Sequence, residues 1–528
     1  MLGGMQDFAL RVPRLIDHAE REHGGQEIVS YWADGTETRT NWAGVARDAR
    51  RLAQALEALG CGPRDRIATL GMNHDRHLTA WYGAIGMGGV IHTINPRLFD
   101  EQIVYIANHA EDRVLFYDRA FAPLVERLKP QFTSIEHFIA FDGPDWDALL
   151  APHAGDYRWV EGDERDPCML CYTSGTTGNP KGVLYEHRST MIHALTEVAP
   201  SVFNLSPQAV ALPVVPMFHA AAWGLPFAGA LSGTKFVFSA VNDPKVLCRL
   251  MNQEKVTHSA GVPTVWLALF SHMDATGEKP EHMQLVTIGG SAAPRAMIER
   301  LMRMGIRVGH AWGMTETSPI GTMGAPPANW DSLSFDEQLD LVSKQGRVPF
   351  GVELRVVDDE GRVQARDGTS SGRLQVRGPW VIKRYFKAEE DATDAEGWFD
   401  TGDVAVLHPD GTMQITDRSK DVIKSGGEWI SSVELENAAV GCAGVAEAAA
   451  IGVHHPKWDE RPLLLVVRKP GADVTAQDVL AHLSAKVAKW WLPDEVLFVE
   501  SLPHTATGKL LKTALREQYR DYRLQNAA

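Results

Sequence analysis

Cysteine is scarce in this chain. Five residues, Cys61, Cys168, Cys171, Cys248 and Cys442, are scattered over 528 positions. The number is odd and no spacing suggests a disulfide framework. Cys168 and Cys171 form one isolated CxxC, with no second pair and no neighbouring histidines, which argues against zinc. Both read as buried strand residues, and the sparse usage fits a reducing, cytoplasmic setting. Basic charge is in deficit too: 52 Lys and Arg stand against 67 Asp and Glu, a net charge of −15. Such a field repels nucleic acid and anionic membrane, so no nucleic-acid partner is expected. Any anionic ligand must meet a local positive patch. Long apolar runs are also missing. The most apolar stretches, Leu78–Ile94 and Ala220–Phe238, are broken by Gly, His, Pro and Lys and read as core, not as transmembrane segments. The opening residues, MLGGMQDFAL, lack a basic stretch followed by an apolar run, so no secretory signal is expected.

What remains is an ordinary globular composition, 44% hydrophobic and 23% charged, in a chain too long for one core. Over 41–60, Val45, Ala49, Leu52, Leu56 and Leu59 recur at helical spacing, and Gly60 sits where a helix stops. Arg66–Gly71, Val114–Tyr117 and Phe138–Phe141 read as short buried strands between helix-like segments. This alternation predicts α/β layers with largely parallel sheets. After about residue 345 the pattern changes. Gly351–Val357, Gly372–Arg377, Val404–Leu407 and Thr412–Thr416 predict a small antiparallel β-subdomain. A charged stretch, Asp417 to Asp421, precedes a compact α+β segment. The expected division is a large N-terminal domain over 1–416, a hinge at 417–421 and a small mobile C-terminal domain over 422–528.

The densest chemistry lies in Tyr172-Thr173-Ser174-Gly175-Thr176-Thr177-Gly178-Asn179-Pro180-Lys181-Gly182. Glycines let backbone amides approach a phosphate chain, hydroxyls add donors, and Lys181 adds a point charge. The spacing is not that of a Walker loop. A solvated linker is a poor alternative, because the segment follows a strand-like run and ends in Pro-Lys-Gly.

This stretch resembles the phosphate loop of the adenylate-forming superfamily, which includes acyl-CoA synthetases, peptide-synthetase adenylation domains and beetle luciferases. Further motifs of that superfamily follow in order. They are Val215-Pro216-Met217-Phe218-His219, Gly289-Gly290-Ser291-Ala292-Ala293-Pro294, Trp312-Gly313-Met314-Thr315-Glu316-Thr317, Gly397 to Asp403, DRSKDVIKSGGEWIS over Asp417 to Ser431, and Leu502 to Lys509. The resemblance spans roughly residues 30–515.

It implies an AMP-forming reaction in which a carboxylic acid attacks ATP and the acyl group then passes to coenzyme A. Thr173 and Glu316 are implied to hold Mg²⁺ through hard oxygen ligands. Ser174, Gly175, Thr176, Thr177, Gly178 and Lys181 would cradle the β- and γ-phosphates. Gly290, Ser291, Ala292, Ala311, Trp312, Gly313 and Met314 would enclose the adenine, with Trp312 standing where the family usually has tyrosine. Thr315 would meet the α-phosphate, and Asp403 the ribose, supported by Arg418. Lys509 would bridge the attacking carboxylate and the α-phosphate. A lone surface lysine would read as solvated; its place in TATGKLLK reverses that. Lys420 matches the hinge, and Lys424, Gly426 and Gly427 match the segment lining the pantetheine tunnel. His219 would sit beside the substrate carboxylate, and Trp223 and Gly289 at the acyl gate.

The acyl segments are most similar to those of medium- and long-chain fatty-acyl-CoA synthetases and of 3-methylmercaptopropionyl-CoA ligases. No charged residue occurs over 214–230 to pair with a second carboxylate, so an apolar monocarboxylic acid is expected, a fatty acid first, with 3-methylmercaptopropionate or an aryl or branched acid as the alternatives. Ala220, Ala221 and Ala222 either widen the pocket mouth or let helices pack closely. Several members of the superfamily are homodimers, and the sequence leaves both a monomer and a homodimer open. A carrier-loading adenylation domain and a non-catalytic nucleotide sensor are the rival readings. The SGGEWIS segment counts against the first, and the full set of expected charged residues against the second.

Overall fold

The structure, a computed structural model, describes residues 3–173, 179–426, 428–505 and 510–524, and the backbone alone at 428 and 429. Ser174, Gly175, Thr176, Thr177, Gly178, Gly427 and Lys509 therefore lie outside the described residues.

The expected early helix forms over Trp42–Ala58. Asn41 caps it, its side chain accepting from the Gly44 amide at 2.8 Å. Val45, Ala49, Leu52 and Leu56 are buried, and burying each leucine stabilises by about 1.5–3 kcal/mol. Leu59, expected on the same face, falls past the last turn and is half-buried. Gly60 follows at φ +83° and ends the helix. The helix packs on Asp75–Gly86 through Gly83, where an added Cβ would lie 2.9 Å from the Ala49 carbonyl oxygen.

Two sheets form the bulk of the N-terminal region. The six-stranded one runs His137–Ala140, Asp112–Tyr117, Arg66–Leu70, Val90–Thr93, Pro167–Tyr172, Gly182–Glu186. It is parallel except for the last pair. The eight-stranded one runs Ile320–Met323, Arg307–Gly313, Leu285–Ile288, His258–Gly261, Val210–Pro213, Lys235–Ser239, Glu27–Tyr31, Glu37–Asn41. Its inner pairs are parallel and its two outermost pairs antiparallel. Cys168 and Cys171 are buried on the strand Pro167–Tyr172, as expected.

The predicted β-subdomain is a four-stranded antiparallel sheet of Glu353–Val357, Gly372–Arg377, Phe399–Leu407 and Met413–Arg418. The chain then enters a five-stranded sheet that contains Ile423–Ser425, Val445–His455 and Asp459–Arg468. Ser432–Val440 and Ala476–Ser484 pack on it. Among the described residues no helix is long and apolar enough to cross a membrane.

Candidate active site

A cavity of about 690 Å³ is lined by both large-sheet loops, the four-stranded sheet and the C-terminal segment. Its residues arrive from separate strand ends, each for a local reason.

At one end stands the neck of a hairpin. Pro167–Tyr172 and Gly182–Glu186 pair antiparallel up to Tyr172 and Gly182. The Thr173 amide then donates to the Lys181 carbonyl at 2.9 Å, and the Lys181 amide donates to Thr173 Oγ1 at 3.2 Å. The pairing fixes where the Ser/Thr/Gly loop leaves and returns, so Thr173, Asn179 and Lys181 line the cavity together. The Lys181 ammonium stands 4.8 Å from the Tyr385 ring centroid. The Tyr385 hydroxyl donates to Glu316 Oε1 at 2.8 Å. Burial, and then the Glu316 charge, push the Tyr385 phenol well above its usual range, so it stays a donor. Tyr385 was missed in the sequence reading. The Tyr185 hydroxyl likewise donates to the Thr315 carbonyl at 2.7 Å, steadying the turn that carries Glu316.

The middle of the cavity is built around Trp312. Its indole needs Gly321 beneath it, where a Cβ would stand 2.2 Å from Cζ3. Its N–H donates to Asp403 Oδ2 at 2.8 Å. Arg418 Nε pairs with Asp403 Oδ1 at 3.1 Å. Asp403 is only 4% exposed, yet each oxygen keeps a second lone pair for a ligand hydroxyl. The indole in place of the usual phenol therefore does more than face the cavity: it orients the carboxylate. Gly313 is required by close approach, since a Cβ there would lie 1.8 Å from the Pro319 carbonyl oxygen. Gly290, Ser291, Ala292, Ala311 and Met314 line the same region.

Beneath the 289–294 loop lies His310. Its Nε2 accepts from the Ala293 amide at 3.4 Å and its Nδ1 donates to the Ser343 carbonyl at 3.1 Å, a neutral tautomer. Burial lowers its pKa to about 4. An unfolded histidine titrates at about 6.5 and so takes up protons first as pH falls. Stability present above that value is lost as pH drops toward the folded value. Thermal midpoints of the wild type and His310→Gln, measured at about pH 7 and about pH 5, should show a smaller acid-induced drop in the variant. An equal drop in both contradicts this role.

The apolar end is built on an unusual backbone turn. Ala220, Ala221, Ala222 and Trp223 all have positive φ, from +42° to +57°, followed by Gly224 at +79°. This is a left-handed turn, costing about 1–2 kcal/mol for each non-glycine residue. The three alanines are the smallest β-carbon residues in this strained turn; Ala220 lines the cavity, and Ala221 and Ala222 are buried. Gly224 is forced, because a Cβ would lie 2.4 Å from Glu197 Oε2. The turn lays the Trp223 indole against Gly289, where a Cβ would sit 3.3 Å from Cη2. His219, Ala220, Trp223 and Gly289 line the cavity with Phe203, Pro263 and Leu267.

From the C-terminal side, Lys420, His504, Thr505 and Leu510 reach the cavity. Residues 506–509 connect them outside the described set. Lys424 and Gly426 do not join the cavity lining. Lys424 is exposed on the Ile423–Ser425 strand, its amide donating to Glu460 at 2.9 Å. Gly426 has φ +62° and packs on Trp458. The sequence signal placed these two with coenzyme A, and here they stand apart from the nucleotide end.

This fold and cavity define the adenylate-forming class of ligases. The chain matches the family described as AMP-binding enzyme over residues 16–386 and the AMP-binding enzyme C-terminal domain over 434–509. A 3-methylmercaptopropionyl-CoA ligase from Ruegeria lacuscaerulensis is 49% identical over 536 residues, spanning 99% of each chain. A medium-chain-fatty-acid–CoA ligase from Ectopseudomonas oleovorans is 45% identical, over 100% of this chain and 99% of its own. Among solved structures, ATP-bound MatB from Rhodopseudomonas palustris superposes with a TM-score of 0.84 at 26% identity, over 97% of this chain and 99% of that one. The chain belongs to the AMP-binding enzyme family and is an AMP-forming acid–thiol ligase.

Proposed function

We propose that this enzyme joins an apolar monocarboxylic acid, of the fatty-acid or short thioether type, to coenzyme A. The observation that carries the proposal is the continuity of one cavity. An uncharged end beside Trp223 and Gly289 runs into an end bearing Lys181, Glu316 and the Asp403–Arg418 pair. The acids in the names of the two relatives are both apolar with one carboxylate, which supports the same class here. All five cysteines are buried free thiols, in keeping with a reducing, cytoplasmic setting.

In the first step a carboxylate oxygen attacks the α-phosphorus of ATP, the bond to the bridging oxygen breaks, and pyrophosphate leaves. Positioning and electrostatics carry such a step. Asp403 would hold the ribose hydroxyls and Trp312 the adenine face. Lys181 would meet the terminal phosphates and Lys509 the reacting pair of groups. Thr173 and Glu316 suit Mg²⁺, since both offer hard oxygens on one cavity wall and Tyr385 orients the carboxylate. When bound there, the ion would supply charge screening for the phosphates. In the second step the thiol sulfur of coenzyme A bonds to the acyl carbon and AMP leaves with the electron pair. The resemblance assigns this step to a pivot of the 422–528 segment about Lys420 that brings Lys424, Gly426 and Gly427 to the channel. His219 would border the reacting carboxyl in both steps.

Pyrophosphate release should be measured over linear, branched, aromatic, thioether and dicarboxylic acids. Release with linear or thioether monocarboxylic acids is expected; a preference for dicarboxylic or charged acids would sink the proposal. In the same screen, Trp223→Ala should shift the preferred acid toward longer chains while changing the KM for ATP less than about twofold. Gly289→Val, which fills the space against the indole, should shift it toward shorter ones. An unchanged acid profile in both would reduce Trp223 to packing.

A further inference from the structure

We propose that Lys512 is a positioning residue for adenylate formation, pinning the segment that follows Lys509 to the last strand of the four-stranded sheet. The inference rests on the ligase reading above, with Lys509 serving the adenylation step.

Lys512 is buried, 8% exposed, at the start of the helix Lys512–Gln518. Its ammonium donates to Ser432 Oγ at 2.6 Å and pairs with Glu436 Oε1 at 2.8 Å. Ser432 Oγ, its lone proton free for another partner, donates to Asp417 at 2.8 Å. The Ser432 amide donates to the same carboxylate at 2.6 Å. Asp417 is fully buried at the end of Met413–Arg418. Its neighbour Arg418 pairs with Asp403. One chain of polar contacts thus runs from the ribose-facing carboxylate, through a backbone step at 417–418, to the lysine three residues beyond Lys509. Arg516 and Asp421 make a second tie beside it.

The chemistry is that of a specific fastening. Burial penalises every charge here, and pushes Glu436 up to about 7 despite the pull of Lys512. Burial also draws the Lys512 ammonium down, but Glu436 and Asp417 more than reverse this and keep it charged. An ammonium without these carboxylates would not stay buried. Asp417, Glu436 and Lys512 all border the cavity. The fastening therefore lies at the site itself, and it joins the strand that carries Arg418 to the segment that carries Lys509. Any pivot beyond residue 417 must break the Asp417–Ser432 contact, so the tie belongs to the arrangement seen in this structure.

The test uses the full chain, with Lys512→Met, Ser432→Ala and Lys512→Arg. Ser432→Ala cuts the bridge without stranding a buried charge, and covers the case in which Lys512→Met fails to fold. Three readouts are needed: pyrophosphate exchange, acyl transfer to CoA from a synthetic acyl-adenylate, and hydrogen–deuterium exchange over 503–518. Both disrupting variants should lose about tenfold to a hundredfold in pyrophosphate exchange. Their KM for ATP should stay within about twofold, their CoA transfer should persist, and Lys512→Arg should recover the loss. Amide exchange over 503–518 should quicken in the ligand-free protein. Equal losses in both half-reactions, or no loss in either, would overturn the proposal. If the wild type activates no acid at all, the ligase reading fails; the amide-exchange arm still decides the fastening, and unchanged protection there refutes it.

Discussion

Replacing Lys509 by alanine should lower acyl-adenylate formation by about a hundredfold to a thousandfold, while transfer from a supplied acyl-adenylate to CoA changes by only a few-fold. The reason is electrostatic. An anionic carboxylate must approach an anionic phosphate, and a point charge between them is worth most in the transition state, where the two draw closest. Asp403 and Glu316 line the same cavity and add negative charge to it, in a chain of net charge −15. His504, Thr505 and Leu510 border the cavity on either side of the 506–509 segment. The CoA step has lost the triphosphate and needs no such bridge. Pyrophosphate exchange and single-turnover thioester formation measure the two steps separately. Equal losses in both would contradict a lysine that serves adenylation alone.

Glu316→Gln should have the second largest effect, about a hundredfold on pyrophosphate exchange, with the apparent demand for Mg²⁺ raised. The amide matches the carboxylate in size and can still accept from Tyr385, so packing is spared and the lost quantity is charge. Tyr385→Phe removes only the orienting hydrogen bond, held at 2.8 Å. It should cost about 0.5–1.5 kcal/mol, roughly two- to tenfold. Titrating Mg²⁺ against rate in both variants checks the assignment. A Glu316→Gln enzyme with wild-type rate and Mg²⁺ response would remove Glu316 from the metal site.

The motifs contain many of the cavity-lining residues, because those residues lie on loops that local sequence shapes. Thr173 and Lys181 face each other since they close one hairpin. Trp312, Gly313 and Thr315 follow one strand end. Asp403 was legible from its motif, but its bond to the Trp312 indole was not, because 91 positions separate them. Tyr385 was missed for the same reason: it stands 69 positions from Glu316 in a stretch with no periodic or turn signal. The turn at Ala220–Trp223 was hidden for a different reason. Alanine favours right-handed helix, whereas here three buried alanines stand in a left-handed turn that no local sequence signal marks. Helices and strands fared well where caps and alternation agreed, as at Asn41 and Gly60. Lys424 stands outside the cavity lining in this arrangement, and a motif alone does not say which face of a segment meets the cavity in a given arrangement.

The acyl group is expected to end on free coenzyme A. The direct measurement is mass-spectrometric detection of the thioester after incubating the full chain with ATP, Mg²⁺, CoA and the acid that releases most pyrophosphate. Acyl-CoA, AMP and pyrophosphate should appear in equal amounts. Pyrophosphate without acyl-CoA, together with acylation of a phosphopantetheinyl carrier protein, would contradict the account.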